Sequence, residues 1–171
     1  GSIATGGGLT GAGREYVREC QRLVILVDVS HISDEAFWDL TKITNGPIIA
    51  THSNSRSICG HSRNLTDDMF RAICQTGGVA GLNFYTDFLG KNATLDTVVG
   101  HVLHWLEIDP EGRHIALGGD LDGCDSFCAA LLESIQKAIG LSKINTNYYN
   151  IFSYGNATVF YNFSVCFFVS L

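Results

Sequence analysis

Leu23-Val-Ile-Leu-Val-Asp-Val-Ser-His31 and Pro47-Ile-Ile-Ala-Thr-His52 decide how this chain is read. Each is an apolar run of strand length that ends on a histidine, the pattern of a buried parallel strand with a polar residue at its carboxyl end. In a barrel of parallel strands those ends converge on one face. Neutral imidazoles delivered there from neighbouring strands can hold a divalent metal with a position left open for substrate. His31 and His52 are 21 residues apart, which leaves room for one helix and two short loops. The spacing therefore predicts adjacent strands of one βα repeat. Two unrelated loop histidines would share that spacing, so the choice rests on the surrounding sequence.

Helical patterns fill the intervals. Gly11 to Leu23 carries Tyr16, Val17, Cys20 and Leu23 on one face. Ser33 precedes Asp34 and Glu35 and then Ala36, Phe37, Leu40 and Ile43, an N-capped helix with acids in its first turn that stops at Asn45-Gly46-Pro47. Thr66, Asp67 and Asp68 open a third helix, closed by Gly77-Gly78 before the strand Val79 to Phe84. Leu95 to Glu107 predicts a longer helix, followed by the strand His114 to Asp120. Four strands alternating with helices, with no linker or charge run between them, predict an α/β fold in one domain over 1–171. No strand is followed by G-x-G-x-x-G, so the dinucleotide-binding form of such a sheet is disfavoured. A barrel fits better, yet eight βα units need about 250 residues and about four are present here.

With 46% hydrophobic and 16% charged residues the chain can bury a core, and disorder is disfavoured. A net charge of −6 with 11 scattered Lys and Arg argues against nucleic acid as a partner and favours a small molecule or peptide. The six cysteines contain no C-x-x-C pair and read as reduced core or near-core residues. The opening Gly1 to Gly8 has neither a basic stretch nor an apolar core, so no secretory signal is expected within the chain. The tail from Phe160 to Leu171 is strongly apolar but too short to span a bilayer, so no transmembrane helix is expected and its packing stays open. Localisation is left open.

The strand ends supply the candidate chemistry: Asp28 and His31, His52 and Ser53, Asn83 and Tyr85, Asp120 and Asp122. A metal held by His31 and His52 would lower the pKa of its water to about 7 and polarise a carbonyl. Asp120, after Gly119, could move a proton to a leaving group; an Asp in a glycine-flanked turn is the plainer reading. Asp28 reads as a hydrogen-bonding residue behind the ligands. Arg63 offers a planar fork for a substrate carboxylate; a surface Arg paired with Asp67 or Asp68 is an equal alternative. His101 and His104, three apart on a helix, are given no role, and His114 begins a strand at the end away from the chemistry.

Six blocks in order, Gly8-Leu-Thr-Gly-Ala-Gly-Arg14, Val27-Asp-Val-Ser-His-Ile-Ser33, Thr51-His-Ser-Asn-Ser55, Arg63-Asn-Leu-Thr-Asp-Asp68, Gly77-Gly-Val-Ala-Gly-Leu-Asn-Phe-Tyr85 and Gly118-Gly-Asp-Leu-Asp-Gly123, resemble the renal (membrane) dipeptidase family of zinc peptidases. Tyr154-Gly-Asn-Ala157 is similar to that family's closing segment. The resemblance implies a TIM-like (β/α) barrel of amidohydrolase type, of which this chain is the carboxyl-terminal half. It implies hydrolysis of dipeptides with a free carboxylate, including those with a D residue at the second position. By resemblance His31 and His52 are ligands of one zinc, Arg63 clamps the substrate carboxylate, and Asp120 binds substrate and handles the proton to the leaving amine. Asn64 and Tyr85 lie in matching blocks without a role carried over. The family's other ligands, a His-x-Asp pair and a bridging Glu, belong to an amino-terminal half, and no His-x-Asp occurs in these 171 residues. Beyond Gly123 the segment Cys124 to Leu141 looks shortened against the family. An alternative follows, a catalytically incomplete truncated protein that at most binds a peptide or carboxylate. A half-barrel exposes two strand edges, which predicts a homo-oligomer or aggregation.

Overall fold

Period-two alternation in the strands and a single helical layer account for the architecture. The computed structural model describes residues 7–120, Ser126 and the strand pair at 150–154 and 157–161. Helix α1 (Gly11–Arg22) leads into β1 (Val27–Asp28), then α2 (Asp34–Thr41), β2 (Ile48–Ala50), α3 (Asp67–Gln75) and β3 (Val79–Asn83). A short α4 (Thr86–Leu89) and α5 (Leu95–Ile108) precede β4 (Ile115–Gly119), and β5 (Asn150–Tyr154) pairs with β6 (Ala157–Tyr161) as an antiparallel hairpin. Gly123, Asp122, Cys124 to Leu141 apart from Ser126, Cys166 and the tail beyond Tyr161 lie outside the described residues.

Strands β1 to β4 are parallel and lie side by side in chain order. One face of the sheet carries Val27, Val29, Ile48, Ala50, Ala80, Leu82, Ile115 and Leu117. These pack with Val17, Phe37, Leu40, Phe70, Ile73, Val98 and Trp105 from the helices. Among the described residues the other face carries Leu26, Ile49, Val79 and Ala116 as its apolar cluster. With all the described helices on one face and no reversal of strand order among β1 to β4, the described sheet is wound in one direction. A doubly wound sheet would place helices on both faces and reverse at a switch point. Two buried rings, Phe70 and Trp105, stack with centroids 4.6 Å apart and lock α3 onto α5.

Ser33 and Thr66 open their helices as the sequence reading expects, accepting from the backbone amides of Ala36 and Met69, and Thr10, which that reading did not name, caps α1 in the same way through Gly13 N–H. The first strand is shorter than its apolar run. Leu23, Val24 and Ile25 form the end of α1: Ile25 N–H donates to Cys20 O at 2.8 Å and Val24 N–H to Gln21 O at 3.0 Å. This is a Schellman turn, with Val24 in the left-handed position at φ 59° and 90% exposed. Helix α3 closes in the same way with Gly77 at φ 74°. Apolar character in Leu23 to Ile25 therefore marks a helix end and an exposed corner. Helix α4 and the hairpin were not evident from the sequence pattern. Cys20, Cys59 and Cys74 are free thiols.

Candidate active site

Register brings the two histidines together. In the β1–β2 pair Val27 stands opposite Ile48 and Asp28 opposite Ile49, an offset of 21 that also separates His31 from His52. Val29 N–H continues the ladder to Ile49 O at 2.8 Å. The rings meet as a result, with His31 Nε2 and His52 Nε2 2.8 Å apart. His52 is buried, and His31 sits at the exposed rim.

Alternation also decides which residues surround them. Leu26, Ile49, Val79 and Ala116 face away from the helices, so Asp28, Thr51 and Asn83 at odd-even parity with them do too. Asp28 becomes a hub: Oδ1 accepts from Ser30 N–H and Thr51 N–H at 3.0 and 3.1 Å, and from the Ser30 hydroxyl at 2.7 Å. Its Oδ2 accepts from the Thr51 hydroxyl at 2.5 Å, and Thr51 Oγ1 lies 2.7 Å from His52 Nδ1. Ser30 Oγ in turn accepts from His52 N–H at 3.1 Å.

Asp120 reaches the cluster through a break in the ladder. Leu82 pairs with Leu117 but Asn83 with Gly119, so one extra residue, Gly118, is accommodated in β4. Gly119 and Asp120 follow at φ 62° and 58°, a left-handed turn that non-glycine residues seldom adopt. It holds Asp120 Oδ2 3.1 Å from Asn83 Nδ2, which donates, and 3.9 Å from His52 Nε2. A Cβ on Gly118 would lie 1.7 Å from Thr51 O, and one on Gly81 2.2 Å from it. These two glycines make the space into which the Thr51–His52 backbone folds.

Arg63 lies on a loop that Arg56 ties down. Arg56 grips both oxygens of Asp34 at 2.6 and 2.8 Å and donates to the carbonyls of Asn64 and Ser62 at 2.7 and 3.0 Å. Asn64 bonds Asn54 N–H, Cys59 O and Phe88 O, while Asn54 exchanges two hydrogen bonds with the Asn83 backbone. Beneath them His101, fully buried, accepts from Ser55 N–H through Nδ1 and donates through Nε2 to Leu89 O. The Arg63 guanidinium covers the Phe88 ring at 5.3 Å and places Nη2 3.2 Å from His31 Nε2. Its Nη1 is buried without a hydrogen-bond partner among the described residues. Asp67 and Asp68 are engaged elsewhere, by His104 and Ser57 and by Arg71.

All four residues expected to carry chemistry, His31, His52, Arg63 and Asp120, thus meet at the carboxyl ends of β1, β2 and β4. Asn83, a strand-end candidate in the sequence, completes the arrangement together with Thr51, Ser30 and Asn54, which the sequence did not single out. Strand parity could have placed Thr51 and Asn83 on this face. Nothing local marks Arg56 or His101, whose roles depend on partners far along the chain. His101, expected to be without a role, is a buried support of the Arg63 loop.

Burial pushes the pKa of His31 and of His52 below the ordinary histidine range, reinforced at His31 by Arg63 and opposed at both by the Asp120 and Asp28 carboxylates. Both are held neutral near pH 7, the form that binds metal. Burial also lowers the pKa of Arg63, opposed by Asp120 and Asp28. A buried cation with an unpaired nitrogen favours an anionic ligand. The two imidazoles fit a divalent metal in donor chemistry and convergence, though ligands of one tetrahedral zinc stand about 3.3 Å apart, so the rings must part slightly. Among the described residues no group of three or more His, Cys, Asp or Glu is placed to hold an ion. The fit is to part of a ligand set.

The membrane dipeptidase family, peptidase family M19, matches residues 2–143. The chain belongs to this family. Among M19-like relatives, an uncharacterized protein of the pqqA 5′ region of Klebsiella pneumoniae is 42% identical over 129 residues, covering 72% of this chain and 47% of the relative. An uncharacterized dipeptidase of Schizosaccharomyces pombe is 40% identical over 124 residues, covering 71% of this chain and 30% of the relative. The solved metallopeptidase of Rhodobacter sphaeroides, liganded with a phosphinate mimic of the dipeptide L-Ala-D-Ala, superposes with a TM-score of 0.71 at 34% identity. That match covers 85% of this chain and 44% of the other. The M19 chain described here therefore spans less than half the length of these relatives.

Proposed function

We propose that this chain forms the part of a zinc-dependent dipeptidase that supplies two metal ligands, the carboxylate clamp and the proton carrier. The observation that carries the reading is the meeting of His31, His52, Arg63 and Asp120 within hydrogen-bonding or near hydrogen-bonding distance beyond the carboxyl ends of the strands. His31 and His52 would hold the ion through Nε2. Zinc bound there would supply Lewis-acid polarisation of the scissile carbonyl. Arg63, with Nη1 unpaired among the described residues, binds the free carboxylate of the dipeptide and so sets which end of the substrate enters. Asn83 holds Asp120 by a hydrogen bond to Oδ2, leaving Oδ1 to pass a proton to the departing amine. The solved relative's L-Ala-D-Ala mimic supports a dipeptide substrate, with a D residue accepted at the second position.

The remaining metal ligands would come from residues other than those described, either in a longer chain or across a homo-oligomer. A second reading is favoured by the incomplete ligand set among the described residues: a catalytically incomplete protein that retains a carboxylate site through Arg63. Hydrolysis of Ala-D-Ala by the purified chain, with zinc added and with His31→Ala as control, separates them. Turnover that requires zinc and is lost in the variant supports the enzyme. Absence of turnover with Arg63-dependent binding of Ala-D-Ala supports the second reading.

A further inference from the structure

We propose that Asp28 and Thr51 are positioning residues that fix the tautomer of His52, so that its Nε2 carries a lone pair toward His31. Asp28 can only accept hydrogen bonds when ionised, and its Oδ2 lies 2.5 Å from the Thr51 hydroxyl, so that hydroxyl's one proton points to Asp28. Thr51 Oγ1 is then left with lone pairs toward His52 Nδ1, 2.7 Å away. The proton of the neutral imidazole must sit on Nδ1. The second carboxylate oxygen cannot swing to relieve this, because Oδ1 already accepts from Ser30 N–H, the Ser30 hydroxyl and Thr51 N–H. Ser30 closes the frame from the other side by accepting from His52 N–H. The chain of contacts runs from the end of β1 to the end of β2, so the sheet register that pairs Asp28 with Ile49 also sets the proton on His52.

His52 Nε2 thereby presents an acceptor. At His31 Nε2 the Arg63 guanidinium, which can only donate, lies 3.2 Å away, so that nitrogen's single lone pair is turned to Arg63 when this bond is made. A cation shared with His52 Nε2, 2.8 Å from His31 Nε2, would have to displace that donor. Outer hydrogen bonds of this kind typically change metal affinity 10–100-fold when removed. The consequence for metal affinity rests on the dipeptidase reading above; the tautomer itself does not.

The test is the two-bond ¹H–¹⁵N correlation pattern of His52 in the full 171-residue chain, assigned by its loss in His52→Gln. It is followed by cobalt(II) and zinc(II) titration of the chain and its variants. The wild type is expected to show the Nδ1–H pattern. Thr51→Val, which keeps the shape and removes the hydroxyl, is expected to shift His52 toward the Nε2–H pattern and to weaken metal binding about 10–100-fold. Thr51→Ser is expected to restore both, and Asp28→Asn to reproduce the Val effect on the tautomer. A wild-type Nε2–H pattern, or an Nδ1–H pattern unchanged in Thr51→Val and Asp28→Asn, overturns the proposal. If the tautomer shifts as expected while the wild type binds no metal, the positioning role stands and the dipeptidase reading fails.

Discussion

His31 Nε2 and His52 Nε2 face each other at 2.8 Å because their separation in sequence equals the register offset between β1 and β2. The 21-residue interval holds α2 and two loops, and any insertion or deletion within it would be absorbed by those loops without moving the register. The relationship is a property of the strand pairing. Its chemical setting comes from Ser30 and Thr51, which immediately precede the two histidines, and from Asp28, three positions before His31.

Replacing Arg63 by Lys keeps a positive charge but removes the fork. A charge-assisted hydrogen bond contributes about 1.5–3 kcal/mol, so Arg63→Lys should weaken binding of a free-carboxylate dipeptide roughly 10–100-fold. Binding of the same dipeptide as its C-terminal amide should change little between wild type and variant. Calorimetric titration of both ligands against both proteins checks this.

Gly118→Ala would place a methyl group 1.7 Å from Thr51 O, where only backbone atoms are available to move. The expected cost is at least about 1–3 kcal/mol, together with displacement of the Thr51–His52 segment. Gly100→Ala in α5 meets nothing within 4 Å and should stabilise by about 0.5–1 kcal/mol. Urea denaturation of the two variants should move the midpoint in opposite directions.

Val24 occupies a left-handed helix-end position with a β-branched side chain that is almost wholly exposed. Left-handed geometry costs an L residue about 1–2 kcal/mol, and no burial is lost on truncation. Val24→Gly should therefore stabilise the chain by about 1 kcal/mol net of the extra unfolded-state entropy. Thermal or urea unfolding measures the change.

Burial lowers the pKa of His101 below the ordinary histidine value of about 6.5, with its hydrogen bond to Leu89 O acting the other way. Above that pH the ring is neutral in folded and unfolded chains and adds no pH dependence. As pH falls below about 6.5 the unfolded chain gains a proton that the folded chain refuses. Stability then declines until the folded pKa is reached, by up to about 1.4 kcal/mol per pH unit for this one group. His101→Gln should remove one proton from the slope of stability against pH between 7.5 and 5.5. Denaturant midpoints at several pH values measure it.

Much of this was legible in the sequence. Apolar runs ending on His31 and His52, the caps at Ser33 and Thr66, and the polar ends of four strands expressed local rules of period and capping. Those rules carried the order of elements and the placing of His31, His52 and Asp120 at strand ends, whereas Arg63 was marked by the family resemblance of its loop. Failures occurred where specific hydrogen-bond partners, near or distant, override the apolar pattern. Leu23 to Ile25 is as apolar as a strand, but hydrogen bonds back to Cys20 and Gln21 make it the end of α1. Arg56 and Arg63 stand in the same loop, and only the position of Asp34 across a gap of 22 residues makes Arg56 the anchor and frees Arg63 for the site. His101 looks like an amphipathic-helix residue until Ser55 and Leu89 are seen against it.

Zinc binding by the purified chain, measured by competition with a chromophoric chelator for wild type, His31→Ala and His52→Ala, tests the central claim most directly. Two imidazoles, with no third ligand among the described residues, predict a single zinc of modest affinity that either substitution weakens at least tenfold. Wild-type affinity retained in both variants, or no zinc bound by the wild type under any condition, would contradict it.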